Sequence, residues 1–501
     1  MMKVMQLSYD HLPYHLKPLL LYFARSRKSK RTPVSKLMQL WMAEGLVDHD
    51  IPSKCSLEEI TQSYLDALIS SSLIMVDHML SKKSKPFSVR IKVCYVHDLV
   101  HEFCSVKAKK EKFLKLINLG ARFHASDFLH HHLTIHTKEG QFHKKCVLLN
   151  SKMCSVGSKH LISLKVSGSL LNSRYICHTR PFGLVRVLQL NSIVLEDSLM
   201  EEIGSLFHLR FLRIHTQDVK AIPVSWLNLQ NLETLLINTG YSTMVLLPRI
   251  FKLSKLKHVK IDMSCFFEEE EEEEMDADNI MHQRSGLLEA DNSKLEDLTT
   301  LSEVVISYTE ATSDVLEKFP NLQHLHCHIK EPMDPPTHGD WFPKLDVLNK
   351  LESLIAMYDN ASSDEYPELT YQIRQPNEYY FPNSLKELRL YGFTLRPGLL
   401  SLIAAFPELE ILEFIDCEFV KDKWDANIHT LKSIHLTNNK HELGDSAIEI
   451  KKQVEAFTGE DRHQVHIEDV YEEEDEEEAE EEAEEEDEEE AEEENAQRTQ
   501  G

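Results

Sequence analysis

Long apolar runs are missing from this 501-residue chain, and none approaches the ~18 residues that a membrane-crossing helix needs. The N-terminus, Met1-Met2-Lys3-Val4, lacks the apolar core of a secretory signal. Paired cysteines are missing too. Nine of them lie scattered at 55, 94, 104, 146, 154, 177, 265, 327 and 417. The number is odd and no C-x-x-C occurs, so neither a disulfide framework nor a thiolate zinc site is expected. No Gly-Lys dipeptide occurs, hence no G-x-x-x-x-G-K-[ST] phosphate cradle, and no G-x-S-x-G nucleophile elbow. These absences point to a reduced, non-enzymatic chain. Its expected place is the cytoplasm, with the nucleus and the membrane periphery as alternatives.

The net charge of −28 is concentrated in two runs. Glu268 to Glu274 contribute −7, and Glu472 to Glu494 include 20 acidic residues, so −28 + 27 leaves −1 for everything else. The body is nearly neutral, and net charge does not name a partner. The second run holds nothing apolar larger than alanine and is expected to be a disordered, solvated tail.

What the chain has in plenty is a hydrophobic phrase, L-x-x-L-x-L, returning about every 23 residues. Its clearest copies are Leu209-Leu212-Ile214, Leu232-Leu235-Ile237 and Leu385-Leu388-Leu390. Taking first residues at Leu161, Val185, Leu209, Leu232, Leu256, Leu301, Leu322, Leu351, Leu385, Leu409 and Leu431, the gaps are 24, 24, 23, 24, 45, 21, 29, 34, 24 and 22. A fixed period of this length marks a leucine-rich repeat solenoid, which generally binds rather than catalyses. Each phrase reads as a short strand of a curved parallel sheet, with alternate side chains inward. Ile222-Pro223 and Leu247-Pro248 reinforce the unit by fixing a turn before the next phrase. The long gap holds the first acidic run and reads as an insertion at 266–280.

Residues 1–105 are different, with helical periodicity and no repeat. One helix is expected from Pro13, with Leu16, Leu19, Leu20 and Phe23 as its stripe. A second runs from Thr32 as N-cap, through Leu37, Leu40 and Trp41, to Gly45. A third opens on the capping box Ser56-x-x-Glu59 and buries Leu57, Ile60, Tyr64 and Leu68. Two strands, Leu73 to Val76 and Val89 to Tyr95, form a hairpin, and a short helix starts near His97. Helices followed by a hairpin describe a winged helix.

The segments Leu7-Ser-Tyr-Asp-His-Leu-Pro-Tyr-His-Leu-Lys17, Val34-Ser-Lys-Leu-Met-Gln-Leu-Trp-Met-Ala-Glu-Gly45, Leu57-Glu-Glu-Ile60, Tyr64-Leu-x-x-Leu-Ile69 and Val96-His97-Asp98-Leu99 follow in order. Together with the repeats they resemble plant nucleotide-binding, leucine-rich-repeat resistance proteins, in style the coiled-coil, late-blight-resistance-like class. The resemblance implies a multidomain chain with a winged helix at 1–105 and a linker at 106–130. An irregular α/β repeat solenoid at 131–450 and a disordered acidic tail at 451–501 would follow. It implies a receptor fragment in plant defence, acting by protein recognition or by repeat-domain restraint, without its own nucleotide-hydrolysing core. The implied partner is a pathogen effector or a guarded host protein. A scaffold or decoy pairing with full-length relatives, or an inactive remnant, is the alternative.

Candidate sites follow. In the family the histidine matching His97 senses the β-phosphate of ADP, with Asp98 and Val96 completing the motif. The phosphate loop is absent here, so the expectation is no bound cofactor and a structural His97. His97 and His101 also offer an H-x-x-x-H pair, a weaker metal reading than the family motif. His130-His131-His132 reads as a polar loop, and the basic run Arg25 to Arg31 as a solvated loop rather than a DNA contact, because the Val34-to-Glu44 helix offers mainly Lys36 and Gln39. The expected protein-binding surface is the concave sheet, exemplified by Arg210, Arg213, Glu233, Lys257, Lys386, Arg389 and Glu413.

Overall fold

A computed structural model describes residues 2–47, 55–84, 87–118, 130–137, 160–168, 171–172, 182–217, 219–240, 243–246, 249–266, 293–307, 314–330, 342–359, 379–395, 399, 402–403, 405–415, 417–419, 433–437 and 464–468. All of the expected insertion at 266–280 but Phe266, and most of the tail, fall outside these residues.

The first helices are α1 (Met2–His11) and α2 (Leu16–Leu21), the latter continuing as a 3-10 turn, Tyr22–Arg25. Helix α1 was not expected. It begins eleven residues before Pro13 and buries only Tyr9, so its apolar signal is weak. Thr32–Pro33 form a two-residue strand, β1, and α3 follows as Val34–Glu44. Thr32 is therefore not an N-cap: it pairs with Cys94 across an antiparallel ladder. Gly45 ends α3 at φ 74°, a left-handed conformation that glycine adopts without strain. Helix α4 (Leu57–Ser70) has the expected capping box: Glu59 N–H donates to Ser56 Oγ, and Ser56 N–H donates to Glu59 Oε2. Its buried stripe is Thr61, Tyr64, Leu65 and Leu68, while Leu57 and Ile60 are half-buried. Strands β2 (Met75–Ser84) and β3 (Phe87–Tyr95) form the antiparallel wing, and α5 (Asp98–Lys110) closes the unit.

Beyond α5 the described residues build a 16-stranded sheet that is parallel throughout. It starts at Leu114–Asn118, which pairs with His132–Thr137, so it begins inside the residues expected to be linker. It runs on to Gln464–Glu468, beside Ser433–Thr437, inside the residues expected to be tail. The register is one phrase against the next. Leu188, Leu212 and Leu235 form one buried column, and Leu190, Ile214 and Ile237 the next.

One phrase was misplaced in sequence. Thr300 pairs with His258 and His324, which puts Leu298, not Leu301, level with Leu256 and Leu322. The Lys257 carbonyl accepts from Thr299 and Thr300 N–H, as the Arg210 carbonyl does from Glu233 and Thr234. Asn321 Nδ2 donates to the Glu296 carbonyl (2.7 Å), repeating the bond from Asn231 to Phe207 (3.0 Å). The gaps become 42 and 24 instead of 45 and 21. Leu298-x-x-Leu301 and Leu301-x-x-Val304 have the same apolar spacing, so spacing alone could not choose.

Among the described residues the return side is mixed, with both helical segments and turns, and it includes one α-helix, Asp197–Ile203, and the 3-10 turns Val224–Asn228, Arg249–Lys252 and Leu345–Val347. Pro223 opens the first of these 3-10 turns; Leu247 and Pro248 lie outside the described residues. Trp226, fully buried, donates its indole N–H to the Met200 carbonyl at 2.7 Å and so ties one return to the previous one.

Leu212 touches no solvent and is shared by neighbouring repeats, so Leu212→Ala is expected to cost about 2–5 kcal/mol. Lys386→Ala, at an exposed position, is expected to leave stability nearly unchanged. Chemical denaturation of the two variants checks the contrast, and equal losses would contradict the packing.

Candidate functional site

The winged helix does not stand apart from the repeats. It sits on their concave face. Val187 and Phe211, which occupy sheet positions facing that side, are completely buried in the winged-helix core with Trp41, Leu37 and Leu65. The C-terminal end of α3 makes the central contact. Glu44 is fully buried, and its carboxylate pairs with Arg25, accepts from the Tyr22 hydroxyl (3.3 Å) and lies 3.1 Å from His132 Nδ1. Arg186 donates from Nη1 to the Glu44 carbonyl at 3.0 Å, where the helix dipole presents negative charge. A Cβ on Gly45 would meet that same nitrogen and push the guanidinium off the carbonyl, which adds to the strain that φ imposes. At the outer margin Glu58 of α4 meets Lys257 at 2.7 Å.

Burial works to raise the Glu44 carboxyl, but His132 and Arg25 outweigh it and hold it down at about 2. Two expectations are corrected by this cluster. Arg25 is not part of a solvated loop but a buried ion-pair partner, and His132 opens a strand under Glu44 rather than lying in a polar loop. Neither reversal is legible in the sequence, because a basic run and a histidine run carry no mark of the carboxylate that folding brings to them. Lys165 lies close by on the concave side. Burial, then the charges of Arg25 and Lys30, push its ammonium down to about 7.

The expected protein-binding residues divide. Arg210, Glu233 and Lys257 follow one another along one edge column, Arg210 lying 3.9 Å from Glu233 and Lys257 being tied to Glu58. Arg213 is half-buried, and burial lowers its pKa. Lys386 is exposed and pairs with Glu352 at 3.1 Å. Arg389 and Glu413 were expected to point to solvent, yet both are buried, 3.2 Å apart, with Glu387 as a second partner for Arg389. Ion pairing along the ladder is what makes their burial tolerable.

Val96 is buried, while His97 and Asp98 are exposed. His97 is the N-cap of α5, its Nδ1 accepting the Leu99 N–H at 3.2 Å, and Asp98 accepts from the Ser29 hydroxyl at 2.8 Å. His101 is buried and contacts the Ser26 carbonyl through Nε2 at 2.7 Å, so the H-x-x-x-H pair does not converge.

A different group does converge, one the sequence reading missed: Glu303, His326 and His328, whose ligand-type atoms all lie within 4.8 Å of one another. The histidines were visible as His324-x-His326-x-His328 inside one phrase, alternating onto one face; Glu303 was not, because it belongs to an irregularity in its strand. Burial lowers the His326 imidazole to about 4. Against burial, hydrogen bonding from His328 and the charges of His326 and Lys260 bring the Glu303 carboxyl down to about 2.

Comparison with known proteins decides the family. Residues 160–423 match the family model described as leucine-rich repeat region, and residues 28–104 match the one for the winged helix domain of disease resistance proteins. The chain belongs to the leucine-rich-repeat family. Its relatives include a late blight resistance protein homolog of Solanum demissum, 30% identical over 425 residues, covering 82% of this chain and 28% of that protein. A late blight resistance protein of the same species is 29% identical over 427 residues, covering 82% and 30%. This repeat protein thus spans less than a third of the length of those relatives. Among solved structures, an internalin from Listeria monocytogenes aligns with a TM-score of 0.31 at 12% identity, over 66% of this chain and 88% of that one.

Removing one partner of the buried cluster leaves the other uncompensated. Glu44→Gln is expected to lower stability by about 3–5 kcal/mol. Because the folded pKa is depressed, this contribution is complete above the ordinary value of 4.5 and is lost as pH falls toward about 2. Parallel denaturation of wild type and Glu44→Gln should therefore give curves that differ at pH 6 and converge near pH 2. A gap that persists at low pH would refute the assignment. The Gly45 contact has its own check. Gly45→Ala should cost less in an Arg186→Ala background than in wild type, since only the left-handed strain remains, and a double-mutant cycle reads this directly.

Proposed function

We propose that this repeat protein acts in plant disease resistance by binding, its N-terminal repeats clamping the winged helix and its later repeats offering the concave face to a protein partner. The observation that carries the reading is the Glu44 cluster, in which His132 and Arg186 of the repeats hold the C-terminal end of a winged-helix α-helix. A surface already filled by the chain's own domain is not where a partner docks. The face farther along carries half-buried Ile355, Met357 and Tyr391 beside charged side chains, a mixture suited to protein recognition. Recognition of a pathogen effector or a guarded host protein would take place there, and restraint of the winged helix at the clamp.

Within these residues no nucleotide chemistry is assigned. His97 serves as the cap of α5, a reading supported by the bond that its Nδ1 accepts from Leu99. Its replacement by alanine is expected to cost about 1 kcal/mol of stability and to leave calorimetric heats on ADP addition unchanged. A heat of ADP binding that disappears in His97→Ala would restore the sensor reading.

The clamp is tested with Arg186→Glu, which sets a carboxylate against the Glu44 carbonyl. Amide exchange over residues 34–44 should speed up, and cell-death output in leaf tissue, beside a full-length relative, should change with it. Unchanged exchange and unchanged output together would remove restraint as a role.

A further inference from the structure

The concave face holds one arrangement that the clamp does not use. His326 and His328 alternate along the strand His324–Lys330 and so share the concave side, while Cys327 between them is buried in the core. Glu303 reaches them from the neighbouring strand, Thr300–Ser307. Ser302 pairs with His326 and Val304 with Cys327, so Glu303 is an extra, unpaired residue, with φ at 64°. A left-handed conformation disfavours a side chain as large as glutamate by roughly 1–2 kcal/mol. This bulge carries the carboxylate over the two imidazoles, and Ser264 Oγ holds it by donating to the Glu303 carbonyl at 3.3 Å.

We propose that Glu303, His326 and His328 form a binding site for a divalent metal ion of the zinc class. His326 Nδ1 lies 3.3 Å from Glu303 Oε1, and His328 Nε2 lies 3.2 Å from Glu303 Oε2. With metal–ligand bonds of about 2.0–2.1 Å, the edge of a tetrahedron is about 3.3 Å, so these separations suit ligands of one ion. The His326 Nε2 sits 3.5 Å from Met357 Sδ. In the tautomer that donates there, the Nδ1 lone pair faces a carboxylate oxygen, acceptor against acceptor, and a cation between them satisfies both. Lys260 Nζ, 3.0 Å from Glu303 Oε1, is the competing cation. Its side chain is half exposed and can swing into solvent when the ion enters.

Three protein ligands leave a fourth position, which water or a partner's side chain would fill. The ion would stiffen the concave face where the strand bulges, and would add a contact selective for imidazole, thiolate or carboxylate on an incoming protein.

Co2+ is the probe, added to the purified full chain in millimolar Mg2+ so that the acidic runs are occupied. One equivalent should give the intense visible absorption of tetrahedral cobalt, and Zn2+ should abolish it. The His326→Ala/His328→Ala pair should lose the band, Glu303→Gln should weaken binding about tenfold or more, and Lys260→Ala should tighten it several-fold. Far-ultraviolet circular dichroism unchanged from wild type verifies the fold of each variant, whose site side chains are half-buried. No tetrahedral band in the wild type, the same band in the double-histidine variant, or no tightening on Lys260→Ala would overturn the proposal.

Discussion

In a parallel ladder built from a repeat, the same position of every phrase lies about 4.8 Å from its counterparts on either side. Everything else follows from that constraint. Leucine columns become a continuous core because each leucine touches its equivalents. Charges become chains of neighbours, as in Arg210, Glu233 and Lys257, or Arg389 and Glu413. Where one column turns apolar on the concave side, at Val187 and Phe211, it makes a floor on which a second domain can sit.

Much of this was legible because it is periodic. The column leucines, the capping box at Ser56 and Glu59, and the stop at Gly45 are local signals with one structural meaning each. The failures were of two kinds. Leu301 was chosen over Leu298 because a strand bulge makes two frames equally apolar, and only pairing with His258 and His324 resolves them. Arg25, His132, Arg389 and Glu413 read as surface because charged residues usually are. Their partners lie 19 and 24 residues away in sequence in two pairs, Arg25 with Glu44 and Arg389 with Glu413, and 88 away in the case of His132 with Glu44. No local pattern carries that information. Glu303 was hidden for both reasons at once.

The clamp and the leucine columns stabilise in different ways. Apolar burial along the ladder is distributed, so a single loss is shared by adjoining repeats. The Glu44 cluster is concentrated: one carboxylate serves an arginine, a tyrosine and a histidine, and its own carbonyl serves a second arginine. Buried ionic groups gain little over an apolar core but punish misalignment severely. The cluster therefore specifies where the winged helix sits more than how strongly the solenoid holds.

The strand Gln464–Glu468 has a consequence beyond extending the sheet. It is the last rung of the described ladder, so its outer backbone groups are those on which another copy of the solenoid could stack. Four residues later in sequence begins a run with 20 acidic residues. A second molecule pairing its own last strand at that edge would bring two such runs together, and their mutual repulsion disfavours that end-to-end pairing.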